Sequence, residues 1–171
     1  QADGIQPALG REHVHQAGSY VGPDRLRFDF THFEGIGSER LQDIERVVND
    51  YIRADNPVET DYKAIDDARA EGAMALFGEK YDDTVRVVYA GEISLELCGG
   101  CHVARTGVIG CFKILSESAV AAGVRRIEAV CGAPCIESIQ AREGQLMAAA
   151  HLLSARPDEL EGRLRILLDE N

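Results

Sequence analysis

The run Cys98-Gly99-Gly100-Cys101-His102 has the residue types and spacing to do chemistry. Thiolate and imidazole both ligate zinc, at about 2.3 Å and 2.0–2.1 Å. Two glycines let the backbone turn sharply enough for a sulfur and a ring nitrogen four residues apart to converge. Soft sulfur with imidazole selects zinc over magnesium or calcium. Cys98 and Cys101 also make a CxxC pair. Spacing alone leaves a second reading open, a glycine turn carrying structural thiols. The other polar cluster is His13-Val14-His15-Gln16. Histidines two apart face the same way on a strand and diverge on a helix. On a strand they are candidates to complete a metal site, although surface histidines give the same pattern. Gln16 brings an amide able to hydrogen-bond a substrate. Arg25, Arg27, Arg105, Lys113, Arg125 and Arg126 are the cations near these motifs and suit phosphate contacts. Ion pairs with the many acids are the alternative. Cys131 and Cys135 of CGAPC are expected as buried or helix-start cysteines.

These groups need elements to hold them. RLRFDF at 25–30 alternates polar and apolar residues, which places Leu26, Phe28 and Phe30 on one face of a strand. Ser38 suits the N-cap of a helix running to about residue 53. Its buried stripe is Leu41, Ile44, Val47, Val48, Tyr51 and Ile52, and Asn56-Pro57 ends it. Further strands are expected at 58–62, 84–89, 93–97, 108–115 and 124–130, with Ala90-Gly91-Glu92 as a hairpin turn. A short helix at 64–71 stops at Gly72. A helix runs from Pro134 to about residue 155. Pro157 breaks it, and 158–168 resumes with Leu160, Leu164 and Leu167 on one side. Residues 1–12 carry no periodicity and read as irregular. Strands and helices mix without β-α-β alternation. The expected fold is therefore α+β, a largely antiparallel sheet with helices packed on it, plus C-terminal helices. Residues 1–133 read as one domain and 134–171 as a C-terminal helical extension.

Composition bounds the function. A chain of 171 residues with 45% apolar content can build one cored domain. Eighteen basic and 29 acidic residues give a net charge of −11, which excludes coating nucleic acid by bulk charge. A local basic patch for one RNA end stays compatible. No run approaches the roughly 18 apolar residues of a membrane span, and no signal peptide pattern opens the chain. It begins at Gln1, as a fragment or processed form would. Five cysteines, an odd number with four in two close clusters, point to reduced thiols and a cytoplasmic location.

Several stretches carry a family likeness. HVHQAGSYV (13–21), LRFDFTHF (26–33), GAMALFGEKY (72–81) with VRVV (85–88), ELCGGCHVARTG (96–107) and AAGVRRIEAVCG (121–132) stand in order over roughly nine tenths of the chain. Together they resemble the middle of the alanyl-tRNA synthetases: the editing region, or second additional domain, and the start of the helix after it. The resemblance implies hydrolysis of seryl or glycyl esters wrongly attached to alanine tRNA, with the tRNA(Ala) acceptor end as partner. It implies zinc held by an HxxxH pair and a later CxxxH. The CxxxH maps to Cys98 and His102, and the editing-pocket glutamine maps to Gln16. Ser19 and Thr31 are candidate pocket hydroxyls, and Arg105, Arg125 and Arg126 candidate tRNA contacts. Three departures stand out. No HxxxH occurs, and QADGIQPALGRE (1–12) occupies its place; the family's CGGTH is CGGCH, with Cys101; the usual acid after TG is Val108. Zinc is therefore expected to be weak or absent here.

The implied chemistry has clear physical demands. An aminoacyl ester is already activated, so cleavage needs a positioned water and modest charge stabilisation. Zinc with an open position is one source of both. Sparing alanyl esters while cleaving seryl ones turns on one hydroxyl. A pocket that hydrogen-bonds it rejects the analogue lacking it by roughly 10⁴–10⁵. The competing expectation is a non-catalytic module for tRNA docking or for a homodimer through the C-terminal helices (Leu146, Leu152, Leu153, Leu160, Leu164, Leu167). A redox protein built on CxxC and CGAPC lacks the surrounding βαβ frame.

Overall fold

The computed structural model describes residues 14–74 and 81–170. The chain divides into two compact units, Gln1–Gly132 and Ala133–Asn171. In the first, the alternating stretch forms β2 (Leu26–Thr31). It pairs antiparallel with β1 (Gln16–Val21) and with β7 (Val124–Cys131); β6 (Phe112–Ala121) completes the order β1-β2-β7-β6. Register sets Phe28 opposite Ile127 and Leu26 opposite Ala129, so the apolar members share one face. Val14, Phe28, Phe30, Ile36, Ile44, Ile114, Ile127 and Ala129 form one buried cluster. Each large side chain buried this way contributes about 1.5–3 kcal/mol.

Helix α1 (Ser38–Arg53) packs on that face, with Ile44 fully buried and Leu41 and Val48 partly so. Polar contacts set its position against β6. The Asn49 side chain donates to the Phe112 carbonyl and accepts the Phe112 N–H, both at 2.9 Å. Glu45 accepts from Lys113 Nζ at 2.8 Å and from the Ile114 N–H at 3.0 Å. The expected Ser38 cap is corrected: Gly37 holds the cap position in extended conformation, and Ser38 is already helical.

A second antiparallel sheet has the order β3-β4-β5, built from β3 (Val58–Ala64), β4 (Thr84–Ala90) and β5 (Ser94–Leu97). The short α2 (Ile65–Ala70) follows β3, and Ala68, Val85, Val87 and Leu97 form this sheet's own core. Gly91 turns the β4–β5 hairpin at φ 57°. The fold is α+β, with its strands in two sheets rather than one. The strand expected at 108–115 is also corrected. Thr106–Ile109 is a single 3₁₀ turn, and β6 starts only at Phe112. Gly110, at φ 82°, breaks any ladder between them.

The second unit contains α3 (Ala133–Leu152), a 3₁₀ turn at Pro157–Glu159 and α4 (Leu160–Asp169). Pro157 opens the turn, where its missing N–H is not needed. Among the described residues no helix is long and apolar enough to cross a membrane.

The outer face of the four-stranded sheet carries a buried carboxylate. Asp29 accepts from Arg126 Nε at 2.7 Å and Nη2 at 2.9 Å. That bidentate bond holds its carboxyl below the ordinary 3.8, against opposing desolvation, with the charges of Arg126 and Arg27 helping. A lowered folded-state pKa stabilises above the unfolded-state value and fades as pH falls through the folded one. Asp29→Asn is expected to cost about 1.5–3 kcal/mol at neutral pH, the worth of hydrogen bonds to a charged group. Urea unfolding should show that gap narrowing as pH falls below the ordinary 3.8, because the unfolded chain takes up its proton before the lowered native carboxyl does.

Candidate functional site

Strand β1 brings a glutamine and a hydroxyl together through an irregularity. Gln16 stands opposite Phe30, but Gly18 stands opposite Asp29 and Ser19 opposite Phe28. A regular strand would send residues three apart to opposite faces. The bulge absorbs Ala17, so Gln16 and Ser19 both face the side of Phe28 and Phe30. Gln16 Nε2 donates to Ser19 Oγ at 3.1 Å. Gln16 is half-buried and Ser19 exposed. Thr31 Oγ1 accepts the His15 N–H at 3.0 Å, and the Thr31 N–H returns to the His15 carbonyl at 2.9 Å. This double bond closes the start of the β1–β2 pair.

The cysteine–histidine turn leaves the end of β5 and is held from β4. The Cys98 N–H donates to the Arg86 carbonyl at 3.2 Å. Arg86 Nη1 donates to the carbonyls of Cys98, at 2.9 Å, and Gly100, at 2.6 Å. A Cβ on Gly100 would stand 3.5 Å from Cys98 Sγ, so the thiol folds back over the turn. Cys98 is half-buried, and Cys101 and His102 are exposed. Beyond the turn the chain is anchored again. The Val58 N–H donates to the Ala104 carbonyl at 2.9 Å. Arg105 Nε donates to Asp55 Oδ2 at 2.8 Å, and the Gly107 N–H to Asp55 Oδ1 at 3.2 Å. The Thr106 hydroxyl donates to the Tyr51 carbonyl and accepts the Asn56 N–H, both at 2.9 Å. A Cβ on Gly107 would lie 2.5 Å from Asp55 Oδ1, so any larger residue would displace the carboxylate that takes up the Gly107 N–H.

Residues 85–128, which include this turn, match the sequence profile of the threonyl and alanyl tRNA synthetase second additional domain. Over 167 residues, 98% of this chain, it is 56% identical to the alanine–tRNA ligase of Pseudoalteromonas translucida, of which it spans 19%. The corresponding figures are 54% over 163 residues, 95% and 18%, for the ligase of Lysinibacillus sphaericus. For that of Acidithiobacillus ferridurans they are 57% over 157 residues, 92% and 18%. The chain belongs to the alanyl-tRNA synthetase second-additional-domain family. It spans about a fifth of the length of the curated ligases it matches.

Within this synthetase domain, the residues expected at the site lie on two sheets. Gln16, Ser19 and Thr31 sit at the β1 edge of the four-stranded sheet, whereas Cys98 and His102 follow β5 of the three-stranded one. His13 lies outside the described residues. Among the described residues, no group of three or more His, Cys, Asp or Glu side chains is placed to hold a metal ion. A closed zinc site takes three or four protein ligands, more than the described donors bring together. Arg105, Arg125 and Arg126 each engage a carboxylate: Asp55, Glu117 and Asp29 respectively. Cys131 is half-buried, and burial, with the charge of Cys111 nearby, pushes its thiol up. Cys135 is fully buried in the first turn of α3.

Sequence reasoning did not single out Arg86, Asp55 or Thr106. Arg86 had a signal, as the lone cation in the apolar stretch TVRVVY. Thr106→Val keeps the shape and removes the hydroxyl, leaving a carbonyl and an N–H without their partner. The expected loss is about 1–3 kcal/mol of stability, read as a lower urea midpoint with an unchanged slope.

Proposed function

We propose that this domain hydrolyses seryl or glycyl esters wrongly attached to tRNA(Ala), acting in the cytoplasm on the acceptor end. The Gln16–Ser19 pair carries this reading. The bulge in β1 presents an amide and a hydroxyl on one face, 3.1 Å apart, matched in chemistry to the hydroxyl that distinguishes serine from alanine. A seryl hydroxyl can take up hydrogen-bonding capacity that this pair has left and an alanyl ester cannot, and that difference is the physical source of discrimination. The likeness to alanine–tRNA ligases supports the choice of tRNA. The net charge of −11 makes long-range attraction to tRNA poor, so affinity rests on local contacts and on what the ligases carry outside this stretch.

A second reading is a non-catalytic module for tRNA docking or self-association. The apolar residues exposed on α3 and α4, among them Ile136, Ile139, Met147, Leu152 and Leu168, favour it. Deacylation of Ser-tRNA(Ala) separates the two, because only the first reading requires turnover.

We further propose that the chain as given binds zinc weakly or not at all, since Cys98 and His102 supply only two ligands. Elemental analysis after dialysis is expected to find far less than one zinc per chain. In the deacylation assay, Gln16→Ala is expected to lower kcat/KM for Ser-tRNA(Ala) at least tenfold, at least 1.4 kcal/mol of transition-state binding. Unchanged turnover would remove Gln16 from the role.

A further inference from the structure

Arg86 lies between Val85 and Val87, both buried, so its backbone is fixed within β4. Its carbonyl receives the Cys98 N–H, and its Nη1 reaches the carbonyls of both Cys98 and Gly100. One guanidinium therefore draws two carbonyls of a single turn to the same side. The peptide bonds among the described residues are trans. In a trans peptide plane the C=O and the following N–H point in opposite directions. With the Cys98 and Gly100 carbonyls turned toward Arg86, the N–H groups of Gly99 and Cys101 are turned away from it. Neither donates to a described backbone carbonyl, and both residues are exposed. Two backbone N–H groups directed to one side form a concavity for anions and for developing oxyanions. Behind them, Arg86 has no carboxylate within ion-pair distance among the described residues, unlike Arg105, Arg125 and Arg126. Its charge adds to the field at the turn.

We propose that the Gly99 and Cys101 N–H groups bind the carbonyl oxygen of an acyl ester as it becomes an oxyanion, with Arg86 as the residue that positions them. This rests on the hydrolase reading for the ester; the anion site itself does not. Water adds to the carbonyl carbon, and the C=O π pair moves onto the oxygen facing the two N–H groups. Collapse re-forms the C=O and breaks the bond to the ribose oxygen, which leaves with the proton that the water releases. The products are the free amino acid and the free tRNA end. The developing charge meets dipoles already oriented by Arg86, so no reorganisation is needed at that moment.

The test titrates the ¹⁵N-labelled full chain with adenosine 3′-methylphosphonate, a charged tetrahedral probe, and with adenosine as control. The Gly99 and Cys101 amide signals are expected to move with the phosphonate and not with adenosine. Arg86→Met should abolish the movement, and Arg86→Lys should keep part of it. With Ser-tRNA(Ala), Arg86→Met is expected to lower kcat roughly 10²-fold, the scale of one lost oxyanion donor, with KM changed less than about twofold. Circular dichroism melting of each variant separates this from collapse of β4. If the phosphonate leaves both amides of the unmodified chain unmoved, the proposal fails whatever the hydrolysis assay gives. A loss in Arg86→Met carried entirely by KM overturns it as well. Amides that move in a chain without deacylation leave the anion site standing and refute the hydrolase reading alone.

Discussion

The Thr106 hydroxyl ties together three parts of the first unit. It donates to a carbonyl in the last turn of α1 and accepts the N–H of Asn56, two residues before β3. It sits on the segment returning from the cysteine turn toward β6. A helix C-terminus leaves carbonyls without intrahelical partners, and a buried one needs a donor. Thr106 supplies that donor at 7% exposure. Asp55 works beside it from φ 49°, a left-handed conformation that Asp tolerates better than most residues, and its carboxylate takes up Arg105 and the Gly107 N–H. The helix that packs on the first sheet is thus fastened directly to the strand that opens the second.

Arginine is handled differently on the two sheets. On the four-stranded sheet, Arg125 and Arg126 are each matched bidentately to a carboxylate, Glu117 and Asp29. Such pairs add geometric specificity more than potential, because each cation is neutralised in place. On the three-stranded sheet, Arg86 is spent on neutral carbonyls instead. In a chain of net charge −11, Arg86 is a strand cation without a carboxylate at ion-pair distance among the described residues, and it reaches the cysteine turn.

Local pattern was legible wherever one side of an element decides its burial. The alternation of Leu26, Phe28 and Phe30 and the stripe through Ile44 placed β2 and α1, because register and helical phase are fixed by which face leaves water. The glycine turn of β4–β5 was legible from its residue types. What could not be read was long-range. Nothing in ARTGVIGCF states that Thr106 will meet Tyr51, 55 residues away, so its β-branched and apolar members read as the start of a strand. The partition of strands into two sheets is likewise a matter of pairing between distant segments. At the candidate site, Gln16, Cys98 and His102 came from residue chemistry and family likeness. Arg86 stood out only as the lone cation of TVRVVY; the backbone carbonyls it engages leave no mark in side-chain patterns.

The irregularity at Ala17 also ties the common face of this pair to how the strand is paired locally. Deleting the extra residue between Gln16 and Ser19 would restore plain alternation and leave the amide and the hydroxyl two apart, still on one face. Straightening the strand at its present length would instead leave them three apart in plain alternation and send one of the two to the far side of the sheet. The bulge, rather than the number of residues, is what keeps the pair on one face at this spacing.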